Sequence, residues 1–382
     1  MEMCGNETRF QEALFTRLWK WSYAYQDRYW IPEERSVGPG KSETLVGRIK
    51  HMVKVRAGRR GWASRNFQPH LAAQALGRIM AHGSAYAHGY ALLSDDYSRN
   101  VYLDALCYRI LGPRHVQMPS NTPEFWKRYN EARHFLVRRS AGLVPVGPDQ
   151  AIEINQYDIK GNTGLLHLHM SQHGYRNWFQ LHQYDYIHQG TRIGVEPGDV
   201  VIDGGGCWGD TAVYFADRSS PNGCVYTFEY APENLAILRI NVESNPALAG
   251  KIKPVVNALS DVDGSQMEYS RSGPSSRIGN GSSVKGAVTT VSLDEWVRRE
   301  QPSKIDFIKM DIEGSELAAL HGAAKILRQY RPKLAISAYH KPEDIYILAA
   351  FVDSLKLNYR FFMDHFSIHS EETVLFASCA NV

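Results

Sequence analysis

Beyond Gly198 short apolar runs alternate with helical stretches, and this rhythm leaves few architectures open. Strand candidates fall at 200–203, 224–229, 251–256, 305–310, 333–339, 359–363 and 373–377. Helical spacing runs from the end of the first strand to Arg218, near Glu233–Asn241, and over 315–329 and 342–355. Strand and helix in alternation build a mostly parallel sheet covered on both faces, because each parallel crossover needs a connection of helix length. The predicted class is α/β. Ser265–Gly286, rich in serine and glycine, interrupts the rhythm and reads as a surface loop or insertion.

The first of these strands runs into glycines: Val200–Asp210 reads VVIDGGGCWGD and leads into a helix. A strand that turns through glycines into a helix start brings backbone N–H groups close to a ligand, as in nucleotide and cofactor loops. Its D-x-G-x-x-x-G pattern has neither the G-x-G-x-x-G spacing of dinucleotide folds nor the Gly-Lys-Ser/Thr ending of phosphate loops. Ligands of open α/β sheets gather beyond the carboxyl ends of the strands, where Asp203, Glu229, Asp261, Asp311 and Glu313 fall. Glu229 suits a pair of ribose hydroxyls, since an ionised carboxylate has acceptor oxygens for both. Asp203 would orient the loop or accept from an ammonium, and the loop's backbone donors would take a cofactor carboxylate. These features suit S-adenosylmethionine better than NAD without deciding between them.

Composition narrows the partners. With 382 residues, 43% of them hydrophobic, the chain can bury a sizeable core and is long enough for two domains. A net charge of +3 is too mild to imply a nucleic-acid partner, and the basic clusters at Lys50–Arg56 and Arg59–Arg60 read as solvated surface. Five dispersed cysteines lack paired metal spacing and favour a reducing compartment. The first ten residues have no secretory core and no run approaches eighteen apolar residues, so the expectation is a cytoplasmic protein without membrane insertion.

The N-terminal part is rich in helical spacing. Aromatic residues from Trp19 to Trp30 suggest a helix packed on another domain or subunit, and Pro32–Gly40 is turn material. Helices are expected over 72–81 and 97–111, the second with cap candidates in Ser94–Asp95–Asp96. Arg109 on that helix could reach an anionic ligand, although a basic residue on a helix surface usually does not. Lys41–Arg60 fits no element. His167, His169, His173, His182 and His188 crowd one segment, but no cysteine or nearby carboxylate completes a ligand set. They read as polar packing or as lining of an acceptor pocket.

The segments DVVIDGGGCWGDTAVYFA, YTFEYAPENLAILRINV, NALSDVDG, TVSLDEWV, IDFIKMDIEGSELAALHGA and RPKLAISAYHKPEDIY are similar, in order and spacing, to those of the FkbM family of S-adenosylmethionine-dependent methyltransferases. The resemblance spans about residues 195–379, and KMDIEGSE followed by YHKPEDIY is its most specific part. It implies a Rossmann-like class I methyltransferase sheet with a final antiparallel strand. The implied division is a helix-rich region over 1–150 that shapes an acceptor site or dimer interface, a junction over 151–194, and a methyltransferase domain over 195–382. The implied cofactor is S-adenosylmethionine, with Asp203, Gly204, Gly205 and Gly209 in its loop, Glu229 on the ribose and Asn234 as a weaker contact. Ala258 and Asp261 match the region beside the adenine, and Trp208 would wall the methionine side.

Asp311, Glu313 and His340 are the catalytic candidates. His340 follows the strand KLAISAY, where a neutral imidazole could take the proton of an alcohol as its oxygen attacks the methyl group. Asp311, Glu313 and His340 are also the imaginable ligands of a divalent metal, but the catechol-site pattern is missing and metal-free transfer is expected. The expected reaction is O-methylation of a hydroxyl on a saccharide or secondary metabolite, with a small-molecule N-methyltransferase and a non-catalytic cofactor-binding assembly protein as alternatives. A homodimer is left open.

Overall fold

The computed structural model describes residues 2–22, 69–113, 115–128, 139–147, 150–270, 276–278 and 285–379. The expectations for Tyr23–Trp30, Pro32–Gly40 and Lys41–Arg60 lie outside the described residues. The N-terminal part holds α1 (Glu2–Ser22), α2 (Pro69–Ala81), α3 (Gly83–Leu92) and α4 (Asp96–Leu111). Asp95 caps α4 by accepting the Ser98 N–H at 2.7 Å. Asp104 in α4 ties α1 down, taking Arg17 at 2.6 Å and the Trp21 indole N–H at 2.7 Å.

Three strands follow, β1 (Arg139–Gly147), β2 (Gln150–Lys160) and β3 (Leu165–Met170), in a small antiparallel sheet of that order. The hairpin of β4 (Tyr186–His188) and β5 (Thr191–Ile193) leads to the main sheet. There the chain forms β6 (Val200–Gly204), α5 (Asp210–Ser219), β7 (Cys224–Phe228), α6 (Pro232–Glu243) and β8 (Ile252–Val255). It continues through β9 (Ala258–Leu259), β10 (Gln266–Ser270), β11 (Arg277–Ile278), β12 (Lys285–Val291) and α7 (Leu293–Glu300). It returns as β13 (Phe307–Met310), α8 (Glu316–His321), α9 (Ala324–Tyr330), β14 (Lys333–Ser337), α10 (Asp344–Ser354), β15 (Arg360–His365) and β16 (Thr373–Ser378).

The seven-stranded sheet has the order β15-β16-β14-β13-β6-β7-β8. Strands β8 to β14 in that row are parallel, and β16 is antiparallel to both its neighbours. Every residue of β6 is buried, which is why its apolar run is continuous rather than alternating. From β6 the chain steps outward to β7 and β8, then crosses back to β13 on the other side. That reversal opens a crevice beyond the carboxyl ends of β6 and β13.

Ser265–Gly286 differs from the expected loop. Two pieces of it pair into a second sheet of order β11-β10-β12-β9, with Gln266 opposite Thr289 and Ser270 opposite Lys285. Much of β10 is exposed, so its polar residues hid the strand pattern.

The helix-rich N-terminal region shares its core with the main sheet. Phe10, Tyr102 and Leu106 belong to the same buried cluster as Ile308, Ile345 and Phe361. Ser94 clasps the edge strand β15, its N–H donating to Phe361 O at 2.7 Å and its Oγ accepting the Phe361 N–H at 3.1 Å. At Gly89 α3 meets α10 so closely that an added Cβ would stand 2.6 Å from Tyr346 Cβ.

The small sheet docks through two asparagines, Asn241 in α6 and Asn245 just beyond its end. Asn245 accepts the His167 N–H at 2.9 Å and donates to His167 O at 2.7 Å. Asn241 accepts the His169 N–H at 2.6 Å and donates to His169 O at 2.9 Å. The two amides thus pair with alternate residues of β3, whose outward-facing backbone groups recur every second residue. The histidine-rich segment is thus polar packing: His173 pairs with Glu372 at 3.1 Å, and the His188 ring stacks on Tyr97.

Candidate active site

A cleft lies at the reversal point, lined by Gly205, Cys207, Phe228, Glu229, Tyr230, Asn234, Asn257, Ala258, Leu259, Ser276, Asp311, Ile312, Glu313 and Ser315. At one end stands Glu229, delivered by β7. Its Oε1 accepts the Tyr230 and Ala231 N–H groups at 2.6 and 2.7 Å, and its Oε2 accepts Asn234 Nδ2 at 3.2 Å. Burial pushes its carboxyl up to about 7 against the pull of these donors. About four lone-pair sites on an ionised carboxylate leave room for further donors from a ligand.

The glycine loop is held from beneath. Asp203 and Lys309 are register partners on β6 and β13, and their buried charges meet at 3.0 Å. Asp203 also accepts Thr211 Oγ1 and Thr227 Oγ1 at 2.9 and 3.0 Å, while Lys309 Nζ donates to Gly204 O and Gly205 O at 3.0 and 2.8 Å. The ammonium that Asp203 accepts from is therefore the protein's own. Gly205 has φ of 78°, and a Cβ there would strike the Asp311 carbonyl. The N–H groups of Gly205 and Gly206 both donate to Phe228 O, at 3.0 and 2.9 Å. Contrary to expectation, these two donors are spent inside the loop; the glycines shape the wall.

At the other end stand Asp311 and Glu313, beyond β13. Asp311 accepts the Tyr184 hydroxyl at 3.0 Å and the Tyr339 hydroxyl at 3.3 Å. Burial opposes its charge, but His340, Lys309 and the hydroxyl donors outweigh it and hold the carboxyl below its ordinary range. Glu313, with φ of 56°, is pushed up to about 7 by burial, which His340 only partly offsets.

His340, after β14, stands 3.4 Å from Asp311, 3.8 Å from Glu313 and 2.9 Å from Glu316. Burial disfavours a charged imidazole, yet these three carboxylates prevail and push it up to about 10. In its protonated form the ring has no lone pair for an alcohol's proton. These neighbours weigh against a general-base role for His340. The loop that carries it is anchored from the N-terminal helices, with Arg109 Nη1 donating to Pro342 O at 3.0 Å. Arg109 serves that carbonyl rather than an anion.

Of the expected cofactor contacts, Gly205, Glu229, Asn234 and Ala258 line the cleft, as do Asp311 and Glu313. Asp203, Gly204, Gly209 and Trp208 do not line it; they sit behind the wall or at the start of α5. Asp261 is exposed on the turn after β9 and accepts Ser260 Oγ at 3.1 Å, so its carboxylate is away from the cleft. Tyr184 and Glu316 were not anticipated. Glu316 lay within the quoted KMDIEGSE, but Tyr184 comes from the junction and carries no local signal.

Residues 190–361 match the family model described as the Methyltransferase FkbM domain. They form an FkbM methyltransferase domain. A crystal structure of Methyltransferase FkbM from Methylobacillus flagellatus is similar at a TM-score of 0.50 and 19% identity, over 79% of this chain and 60% of that one. The chain thus spans less than two thirds of that protein. Two other solved structures are more distant, both at a TM-score of 0.33. Aeropyrum pernix fibrillarin with natively bound S-adenosyl-L-methionine shares 12% identity over 62% of this chain and 99% of its own. A Bacillus cereus O-methyltransferase in complex with SAH shares 14% over 54% and 80%. No curated protein matches the chain by sequence.

The fold is that of class I S-adenosylmethionine-dependent methyltransferases, and S-adenosylmethionine is the cofactor of the FkbM domain. The buried Glu229 carboxylate, which lines the cleft where β7 ends, offers acceptor capacity for the cofactor's ribose hydroxyls. No helix among the described residues is long and apolar enough to cross a membrane.

Proposed function

We propose that the protein methylates a hydroxyl oxygen of a saccharide or secondary metabolite. The observation that carries this reading is the polarity of the cleft, with Glu229 at one end and Asp311 and Glu313 at the other. Glu229 and Asn234 bind the ribose side, Ala258 flanks the adenine, and Gly205 lets the backbone approach the ligand. Bound S-adenosylmethionine supplies a methyl group on positively charged sulfur, and its transfer leaves S-adenosylhomocysteine. The acceptor oxygen forms the new bond to the methyl carbon as the carbon–sulfur bond breaks, and its proton passes to Glu313. Asp311, fixed by Tyr184 and Tyr339, orients the acceptor hydroxyl, and the rigid wall around Gly205 aligns the two reactants. His340 packs against Asp311 and Glu313 and fixes their orientation. The thiols of Cys107, Cys207, Cys224 and Cys379 are unpaired, in keeping with a cytoplasmic setting.

The test incubates the purified protein with methyl-labelled S-adenosylmethionine and fractionated metabolites and glycans, followed by mass spectrometry of the product. Label on a saccharide or metabolite oxygen is expected. Label on nitrogen, or cofactor binding without any labelled product, would sink the reading.

A further inference from the structure

The expectation of metal-free transfer meets a donor set beside the cleft in which Glu316 joins Asp311 and His340 in place of Glu313. We propose that Asp311, Glu316 and His340 bind one divalent cation of the magnesium and manganese class. One ligand atom from each residue lies within 4.8 Å of the others, a spacing that ligands about 2.1 to 2.4 Å from one ion can adopt. They come from three rigid places: the end of β13, the first turn of α8 and the end of β14. Their side chains are largely withdrawn from solvent, with 18%, 0% and 8% exposure respectively.

A second observation is independent of this spacing. The Oε2 of Glu316 is buried and has no hydrogen-bond partner, although its Oε1 accepts the Ile312 N–H at 2.9 Å. Buried carboxylate oxygens are rarely left so, because desolvation is then uncompensated. Both ring nitrogens of His340 are likewise out of hydrogen-bond alignment with the nearby carboxylates. Asp311, Glu313 and Glu316 converge on this one imidazole, while the neighbouring ammonium of Lys309 is spent on Asp203 and the glycine-loop carbonyls. A bound cation takes the place of the second proton on His340, freeing one ring nitrogen to ligate it. Two carboxylates and one imidazole, with no thiolate, favour an oxygen-seeking ion. In the O-methyl transfer reading, on which this role rests, the ion takes the acceptor oxygen as a further ligand and eases loss of its proton to Glu313.

The experiment uses Mn²⁺ and the full chain, dialysed against EDTA and returned to buffer without cofactor or acceptor. Electron paramagnetic resonance reads free Mn²⁺ during titration, for the wild type, Asp311→Asn and Glu316→Gln. A single site per chain is expected, weakened at least about tenfold in each variant. Should Glu316→Gln prove unfolded in circular dichroism, Asp311→Asn carries the comparison. Mn²⁺ that stays free with the wild type, or that binds both variants equally, overturns the proposal. Methyl transfer that persists in EDTA while Mn²⁺ stays unbound overturns the metal site and leaves the transferase reading standing.

Discussion

Glu229 is pulled in two directions, by a fold that buries it and by a ligand that needs it ionised. Its pKa is raised on folding from 4.5 to about 7, so its contribution to stability is present below the lower value and lost as pH rises through the upper one. The loss amounts to about 3 kcal/mol. Urea unfolding of the ligand-free protein should therefore show stability falling between about pH 5 and about pH 8, with a shallower fall in Glu229→Gln. The same substitution should weaken S-adenosylmethionine binding at least about tenfold by calorimetry, because an amide has one acceptor oxygen where the carboxylate has two. The Asp203–Lys309 pair makes a different prediction. Lys309→Met leaves Asp203 as an uncompensated buried charge and should cost about 3 to 5 kcal/mol in denaturant unfolding. Asp203→Asn added to it should recover part of that loss. Full additivity of the two single changes would show that the pair does not couple.

Helices and strands carry their own tests. Asn241→Ala and Asn245→Ala each strand an N–H and a carbonyl of β3, which should cost about 1 to 3 kcal/mol. Hydrogen exchange should show the amides of His167 and His169 losing protection before those of β6. Gly89→Ala forces α3 away from α10 and should destabilise by about 1 to 3 kcal/mol in thermal unfolding. These elements were legible in the chain to different degrees. Expected helices over 72–81, 97–111 and 342–355 correspond to Pro69–Ala81, Asp96–Leu111 and Asp344–Ser354. The expected helix over 315–329 is broken, with Glu316–His321 and Ala324–Tyr330 on either side of Gly322 and Ala323. Strands buried on both faces announce themselves as apolar runs, whereas β10 and β11 are short and largely polar. The cleft residues divide in the same way. Glu229, Asp311 and Glu313 follow strands and could be read from position. The meeting of Tyr184 with Asp311 joins residues 127 positions apart, and only tertiary packing brings them together.

For the molecule as a whole, the shared core argues that the N-terminal helices and the methyltransferase sheet unfold together. Calorimetry should give one transition with equal calorimetric and van't Hoff enthalpies. Residues 190–382 expressed alone should lack native near-ultraviolet dichroism, since Ile345 and Phe361 would lose Phe10, Tyr102 and Leu106 as neighbours. A well-folded isolated segment would overturn that view. Asn241 and Asn245 matter here beyond the energy of their hydrogen bonds. Strand β3 is the outermost of its small sheet, and a bare rim of that kind invites another chain to add a strand. By answering His167 and His169 donor for donor and acceptor for acceptor, the end of α6 and the turn after it take the seat a foreign strand would occupy. Replacing both asparagines thus exposes a template for self-association, and their loss would show as turbidity on storage as well as a lower melting temperature.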